Sequence, residues 1–233
     1  MNEAGVNGAI MNEAGVSRTI VLLHGLGRSR ASMMPLAARL TESFKENQKG
    51  NSRESPTENR WTVRRLGYPS TRLTLDDAVE TVRQALPAGP LLLVGHSLGG
   101  LIAAALLRRP GTAAIDRVVQ LGAPNAGTPL AGRVGGLGLV RYACGPAMAD
   151  IAALTDAPPA DNRIGAIAGT AGWLIPGTGL TPPHDGAVTV GSAIAGAGHC
   201  ARVPILHTLL PASARAARLT AAFLRDGHFP RER

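Results

Sequence analysis

Residues 19–23 read Thr-Ile-Val-Leu-Leu, a continuous apolar run that stops at His24-Gly25. Apolar runs without alternation mark strands covered on both faces. Residues 32–40 place apolar side chains at helical spacing, and Pro35 is tolerated in a first turn. From 43 to 60 the texture turns polar, with Phe44 the only strongly apolar side chain, and a solvated insertion loop is expected. Residues 61–66 are strand-like and end at Gly67-Tyr68-Pro69. Thr74-Leu75-Asp76-Asp77 then opens a helix whose buried stripe is Val79, Val82 and Leu86. A short apolar run at 91–94 precedes an Ala- and Leu-rich helix over 98–107, stopped by Pro110-Gly111. Further strands are expected at 118–121 and 164–168. Strand and helix alternate, which predicts a mostly parallel sheet between helical layers. Residues 130–162 are too long for a plain connection and predict a small helical cap. The last element, 211–225, is amphipathic, with Leu219 and Phe223 inward and Arg215, Arg218 and Arg225 outward.

Composition narrows the class. The chain has 233 residues, 45% hydrophobic and 17% charged, enough for a proper core and too apolar for global disorder. No apolar run approaches the ~18 residues of a membrane span. Cys144 and Cys200 are too few for a disulfide scaffold. The net charge is +8, and all but two of the 24 cations are Arg. Half of the excess lies in 201–233, which fits a basic helix and a basic tail over 226–233. With 3% aromatic residues there is little to stack on bases, and no nucleic-acid partner is expected. Weak attraction to an anionic membrane surface is compatible with the charge. Met-Asn-Glu-Ala-Gly-Val occurs at 1–6 and again at 11–16, too short a unit for a structural repeat. Residues 1–17 are expected to be a disordered leader, and 18–225 a single domain. The beginning of the chain lacks the basic-then-apolar order of a signal peptide, which points to a cytoplasmic address.

The chemistry centres on Gly95-His96-Ser97-Leu98-Gly99, a G-x-S-x-G pattern between an apolar strand and a helix. A serine on a strained strand-to-helix turn projects its hydroxyl from the carboxyl edge of the sheet. The helix amino terminus behind it offers free N–H groups and positive potential to a developing oxyanion. Ser97 is the expected nucleophile.

Five segments carry a family likeness: His24-Gly25-Leu26-Gly27, Tyr68-Pro69-Ser70, Gly95-His96-Ser97-Leu98-Gly99-Gly100, the run Leu121-Gly-Ala-Pro-Asn-Ala-Gly-Thr-Pro129, and Asp185-Gly-Ala-Val. Together they make residues 18–225 resemble an α/β-hydrolase of the bacterial lipase and esterase type. The resemblance implies the α/β-hydrolase fold, an oxyanion hole from the backbone N–H groups of Leu26 and Leu98, and Asp185 as the carboxylate that orients the catalytic histidine. Many such lipases are secreted and carry a larger lid than this chain. The calcium-site carboxylates of some relatives have no clear counterpart, and neither a metal nor a cofactor is expected.

Triads of this type follow the chain order Ser, Asp, His. Of the later carboxylates, Asp116 precedes its strand, and Asp150, Asp156 and Asp161 belong to the cap or its exit. Asp185 follows the 164–168 strand and a Gly- and Pro-rich loop, which places it at the carboxyl edge. Among the later histidines, His228 sits in the tail, His184 abuts Asp185, and His199 precedes the apolar run near 202–206. His207 follows that run and is the expected base. As second residue of the elbow, His96 should point away from the hydroxyl.

The expected activity is hydrolysis of a small-molecule or lipid carboxylic ester through an acyl-enzyme. The same triad would serve a thioesterase or an acyltransferase, and a non-catalytic binding protein on this fold is the remaining alternative.

Overall fold

The computed structural model describes residues 18–50, 61–111, 114–131, 145–175 and 177–231. Six strands form one sheet: β1 (Arg18–Leu23), β2 (Trp61–Leu66), β3 (Leu91–His96), β4 (Ile115–Leu121), β5 (Asp161–Gly169) and β6 (Ala197–Val203). Their order is β2-β1-β3-β4-β5-β6, and every neighbouring pair is parallel. The helices are α1 (Met34–Gly50), α2 (Leu75–Ala85), α3 (Leu98–Arg108), α4 (Pro146–Ala153), the short α5 (Val190–Ile194) and α6 (Ala214–Asp226). Short 3-10 turns cover Arg30–Met33, Ala171–Leu174 and His207–Ala212.

Two apolar layers explain the unbroken runs. Val21, Leu23, Leu91, Leu93 and Val118 face one side, packed with Val79 and Val82 of α2 and Ile102 and Leu106 of α3. Ile20, Leu22, Leu92, Val94 and Val119 face the other, packed with Leu36 and Leu40 of α1 and Leu219 and Phe223 of α6. Successive side chains of a strand point to opposite faces, so a strand sandwiched by helices is apolar at every position.

Parallel order with this connectivity gives every strand end a shared address. The chain runs from β1 outward to β2, then crosses back over β1 to β3, and proceeds from there in the other direction. Adjacent strands β1 and β3 therefore flank the reversal point, where open α/β sheets bind ligands beyond their carboxyl ends.

One expectation needs correction. The helix begun near residue 34 continues to Gly50, so the first part of the segment read as loop, 43–60, is helical. Phe44 extends the Leu36–Leu40 stripe by one more turn and packs on Trp61 at 4.5 Å between ring centroids. Residues 51–60 lie outside the described residues, as does the leader 1–17. Of the apolar run near 202–206, only Arg202 and Val203 belong to a strand: β6 covers Ala197–Val203 and stops before Pro204, which cannot donate to a ladder. Beyond α6, Phe229 packs on Phe223 at 5.1 Å between ring centroids. In the segment read as a cap, α4 buries Ala147 and Ile151 in the layer beside α2 and α3. Asp150 of α4 accepts from Leu75 N–H at the start of α2 (2.7 Å). Residues 132–144 of that segment are outside the described residues. Among the described residues, no helix is long and apolar enough to cross a membrane.

Candidate active site

Ser97 joins β3 to α3 with φ 53° and ψ −120°, the only non-glycine positive φ among the described residues. Such backbone costs about 1–3 kcal/mol and persists only when its surroundings over-determine it. Here they do. Ser97 N–H donates to Leu121 O (2.9 Å), and Gly100 N–H donates to Ser97 O (2.8 Å). A Cβ on Gly95 would lie 2.1 Å from Gly99 O, and one on Gly99 would lie 2.5 Å from Leu23 O. The two flanking glycines thus answer to backbone, which cannot move aside. Leu98 and Gly99 open the helix behind the serine, where N–H groups have no intrahelical acceptor.

Asp185 and His207 are brought into contact. His207 Nδ1 lies 2.8 Å from Asp185 Oδ2, and His207 N–H donates to Asp185 O (2.9 Å). The other carboxylate oxygen accepts from Ala187 N–H (2.9 Å) and Val188 N–H (2.7 Å). Asp185 is 1% exposed, so both oxygens are satisfied without water. A carboxylate facing Nδ1 selects the Nδ1–H tautomer and leaves Nε2 with a free lone pair. Beneath the pair, Gly122 has φ +59°, and a Cβ there would meet Asp185 Oδ2 at 2.9 Å and His207 Nδ1 at 3.1 Å.

The loop after β1 reaches the same place. A Cβ on Gly25 would lie 3.2 Å from Ser97 Cβ, which places His24-Gly25-Leu26 beside the elbow. The loop is pinned from the end of β2: Tyr68 hydroxyl donates to His24 O, Tyr68 N–H donates to His24 Nε2 (3.3 Å), and Gly27 N–H donates to Ser70 Oγ (3.1 Å). The Tyr68 and His24 rings stack at 4.3 Å. Burial pushes the His24 imidazole below its ordinary pKa and the Tyr68 phenol upward, so both stay neutral.

The sequence model for the alpha/beta hydrolase fold matches residues 18–147, more than half of the chain and both the Gly25 loop and the elbow. The chain belongs to the α/β-hydrolase fold family. No curated protein sequence matches it. Among solved structures, it is similar to a hydrolase from Pseudomonas aeruginosa at 16% identity, with 88% of this chain and 89% of that one covered and a TM-score of 0.55. It is also similar to the mature lipase of Bacillus licheniformis at 16% identity, with 91% of each chain covered and a TM-score of 0.50. Phospholipase PlaB from Legionella pneumophila aligns over 76% of this chain at 15% identity and a TM-score of 0.52. The present chain spans 45% of that protein's length.

The elbow histidine of this α/β hydrolase does more than fill space. His96 is buried, its Nε2 lies 3.0 Å from His207 O, and the two rings stand 4.8 Å apart. With Nε2–H donating to that carbonyl, Nδ1 is the acceptor nitrogen, and it has no partner. Burial, with His207 adding to it, holds the His96 pKa well below the ordinary value. A neutral His96 therefore ties the His207 loop to the residue preceding Ser97. The sequence reading placed His96 away from the hydroxyl and missed this contact, which only the folded loop creates.

The Leu121–Pro129 run holds the Asp185 loop. Asn125 Nδ2 donates to Gln120 Oε1 (2.9 Å) and Ala193 O (3.2 Å), while Gln120 Nε2 donates to Asn125 Oδ1 (2.8 Å) and Gly100 O (2.9 Å). Thr128 Oγ1 donates to Ala187 O (2.6 Å), and Ser192 Oγ donates to Gly127 O (2.6 Å). One buried amide pair thereby links the first turn of α3 to the segment that presents Asp185.

The discarded candidates lie elsewhere. Asp116 is exposed at the amino end of β4, and Asp161 pairs with Arg163 at 2.7 Å at the start of β5. His199 sits within β6 with its ring edge-on to Phe223. His184 is buried and accepts from Gly186 N–H at 3.1 Å. His228 is exposed beyond α6. Among the described residues, no group of three His, Cys, Asp or Glu could hold a metal ion.

Proposed function

We propose that this α/β hydrolase cleaves carboxylic esters through an acyl-enzyme on Ser97. His207 Nε2 takes the hydroxyl proton as Ser97 Oγ bonds to the ester carbonyl carbon. Asp185 holds the imidazole in the tautomer that leaves Nε2 free and stabilises the imidazolium without taking its proton. The N–H groups of Leu26 and Leu98 receive the carbonyl oxygen as its negative charge grows, each such donor being worth about 10²–10³ in rate. Collapse expels the alcohol, which leaves with the proton from His207. Water then attacks the acyl group with the same base, releasing the acid and restoring the serine.

The observation that carries this reading is the coincidence of two costly arrangements at one sheet edge. A non-glycine residue is held at φ 53°, and a buried carboxylate with all its acceptors filled is aimed at an imidazole. Neither is needed to hold an ordinary sheet together. Strain and buried charge concentrate where chemistry uses them. Small-molecule or lipid esters are the substrate class.

The test is hydrolysis of a water-soluble p-nitrophenyl acyl ester. Wild-type protein is expected to turn it over, and Ser97→Ala to fall to the background rate while keeping its circular dichroism and unfolding midpoint. His207→Ala should lose about 10⁴-fold or more. A folded Ser97→Ala protein with wild-type turnover would overturn the assignment.

A further inference from the structure

Large apolar side chains scattered singly over a surface carry no message, whereas their concentration in one place does. Among the described residues, the exposed large hydrophobics are Met34, Trp173, Leu174, Ile175 and Leu209, from 44% to 77% exposed. Each follows the carboxyl end of a strand: Met34 after β1, the Trp173 group after β5, Leu209 after β6. All five therefore lie on the edge that carries Ser97 and His207. They are also joined. Ala171 N–H donates to Ile205 O (3.5 Å) and Gly172 N–H to His184 O (2.7 Å), which strap the Trp173 turn to the neighbours of His207 and Asp185. A Cβ on Gly186 would touch both Ile175 and Leu206. On the other side of His207, the Arg30–Met33 turn packs against the His207–Ala212 turn.

The charge along this ridge has one sign. Residues 25–41, 169–184 and 201–225 contain no Asp or Glu. Arg28 and Arg30, in the segment that leads from β1 to Met34, are exposed, and Arg202 is exposed near the end of β6. Of the acids that bound these segments, Asp185 is buried under His207, whereas Glu42, two turns into α1, and Asp226, paired with Arg225 at the end of α6, are exposed. An exposed tryptophan with aliphatic neighbours and flanking arginines matches the boundary of an anionic bilayer, where indole sits at headgroup level and guanidinium groups meet phosphates.

We propose that the Met34–Leu209–Trp173 ridge is a docking surface for an anionic lipid interface. Trp173, Leu174 and Ile175 enter the acyl boundary on one flank of His207, Met34 and Leu209 on the other, and Arg28, Arg30 and Arg202 meet headgroup phosphates. The docking rests on the surface alone and stands whether or not Ser97 is a nucleophile. Combined with the ester reading, it places the mouth of the site against lipid.

The experiment uses the full chain and Ser97→Ala, mixed with vesicles of phosphatidylcholine alone or of equal parts phosphatidylcholine and phosphatidylglycerol. Flotation reads binding, and tryptophan emission in a Trp61→Phe background reports Trp173. Both proteins should float with the anionic vesicles far more than with the neutral ones, with Trp173 emission shifted to the blue. The pair Trp173→Ser with Leu174→Ser should lower vesicle affinity about tenfold or more. Arg28→Gln should lower it about fivefold and flatten its salt dependence. Turnover of the water-soluble ester should be unchanged in the double serine variant. If wild-type protein never hydrolyses that ester, the ester reading fails while the docking result remains decisive. Absence of binding to anionic vesicles, or binding that survives the double variant, would overturn the proposal. So would a dimer that the double variant dissolves, since a second copy would then be the occupant of the ridge.

Discussion

Gly122→Ala asks whether the Asp185–His207 pair sets the rate. At φ +59° an alanine pays about 1–2 kcal/mol for the left-handed backbone alone. Its methyl would also arrive 2.9 Å from Asp185 Oδ2, 2.9 Å from Leu210 Cδ1 and 3.1 Å from His207 Nδ1. The leucine tip can rotate away, but the carboxylate cannot easily follow, because Ala187 N–H, Val188 N–H and His207 already hold it. Relief requires the imidazole and carboxylate to separate by several tenths of an ångström. A displacement approaching 1 Å at a catalytic group costs about 10²-fold. Gly111→Ala supplies the matched control, for it has φ +72° and nothing within 4 Å of the added carbon. Urea unfolding should show a loss of about 1–2 kcal/mol in each variant from backbone strain, with Gly122→Ala losing somewhat more. In p-nitrophenyl ester turnover, kcat should fall about 10–100-fold in Gly122→Ala and hold in Gly111→Ala. Equal kcat in the two variants would refute the reasoning, since the methyl beside Asp185 and His207 would then be harmless.

Asn125→Ala leaves the buried Gln120 Oε1 without its donor and removes the link to Ala193, so a stability loss of about 2–3 kcal/mol is expected, read by chemical denaturation. Stability should also fall as pH drops below about 6.5, the ordinary histidine value. His24 and His96 have folded pKa values lowered by burial, so over that window the unfolded chain binds protons that the native state refuses. Each such group contributes a slope of up to about 1.4 kcal/mol per pH unit, and above that pH neither contributes. Replacing His96 with Gln should flatten the acid limb in pH-dependent unfolding, and an unaltered slope would show that His96 already titrates in the native state. His199→Ala, remote from Ser97 in β6, should keep wild-type turnover.

The helix-covered parallel strands and the elbow were readable because local demands and long-range ones coincide there. The uninterrupted runs at 19–23 and 91–94 are apolar at every position because helices cover both faces. Gly95 and Gly99 are required by backbone within a few residues or across one neighbouring strand. Other features answer to partners far away in the chain. Gly122 answers both to its own φ of +59° and to side chains at 185, 207 and 210, and the contacts with those side chains have no signal near it in the sequence. The Asn125, Thr128 and Ser192 bonds span 59 to 68 residues when they leave their own turn. The length of α1 was hidden by a solvent face carrying Lys45 and Glu42, while its buried stripe thinned to Phe44. Strand β6 was missed at its start because it is the sheet edge, with exposed Gly198, Cys200 and Arg202 alternating with more covered positions.

The account turns on Ser97 being a nucleophile activated by His207. Treating the full chain with a fluorophosphonate and mapping the adduct by mass spectrometry tests this most directly. One adduct per chain on Ser97, formed rapidly in the wild type and slowed by orders of magnitude in folded His207→Ala, is the predicted result. An unlabelled Ser97, or labelling at the same rate without His207, would contradict it.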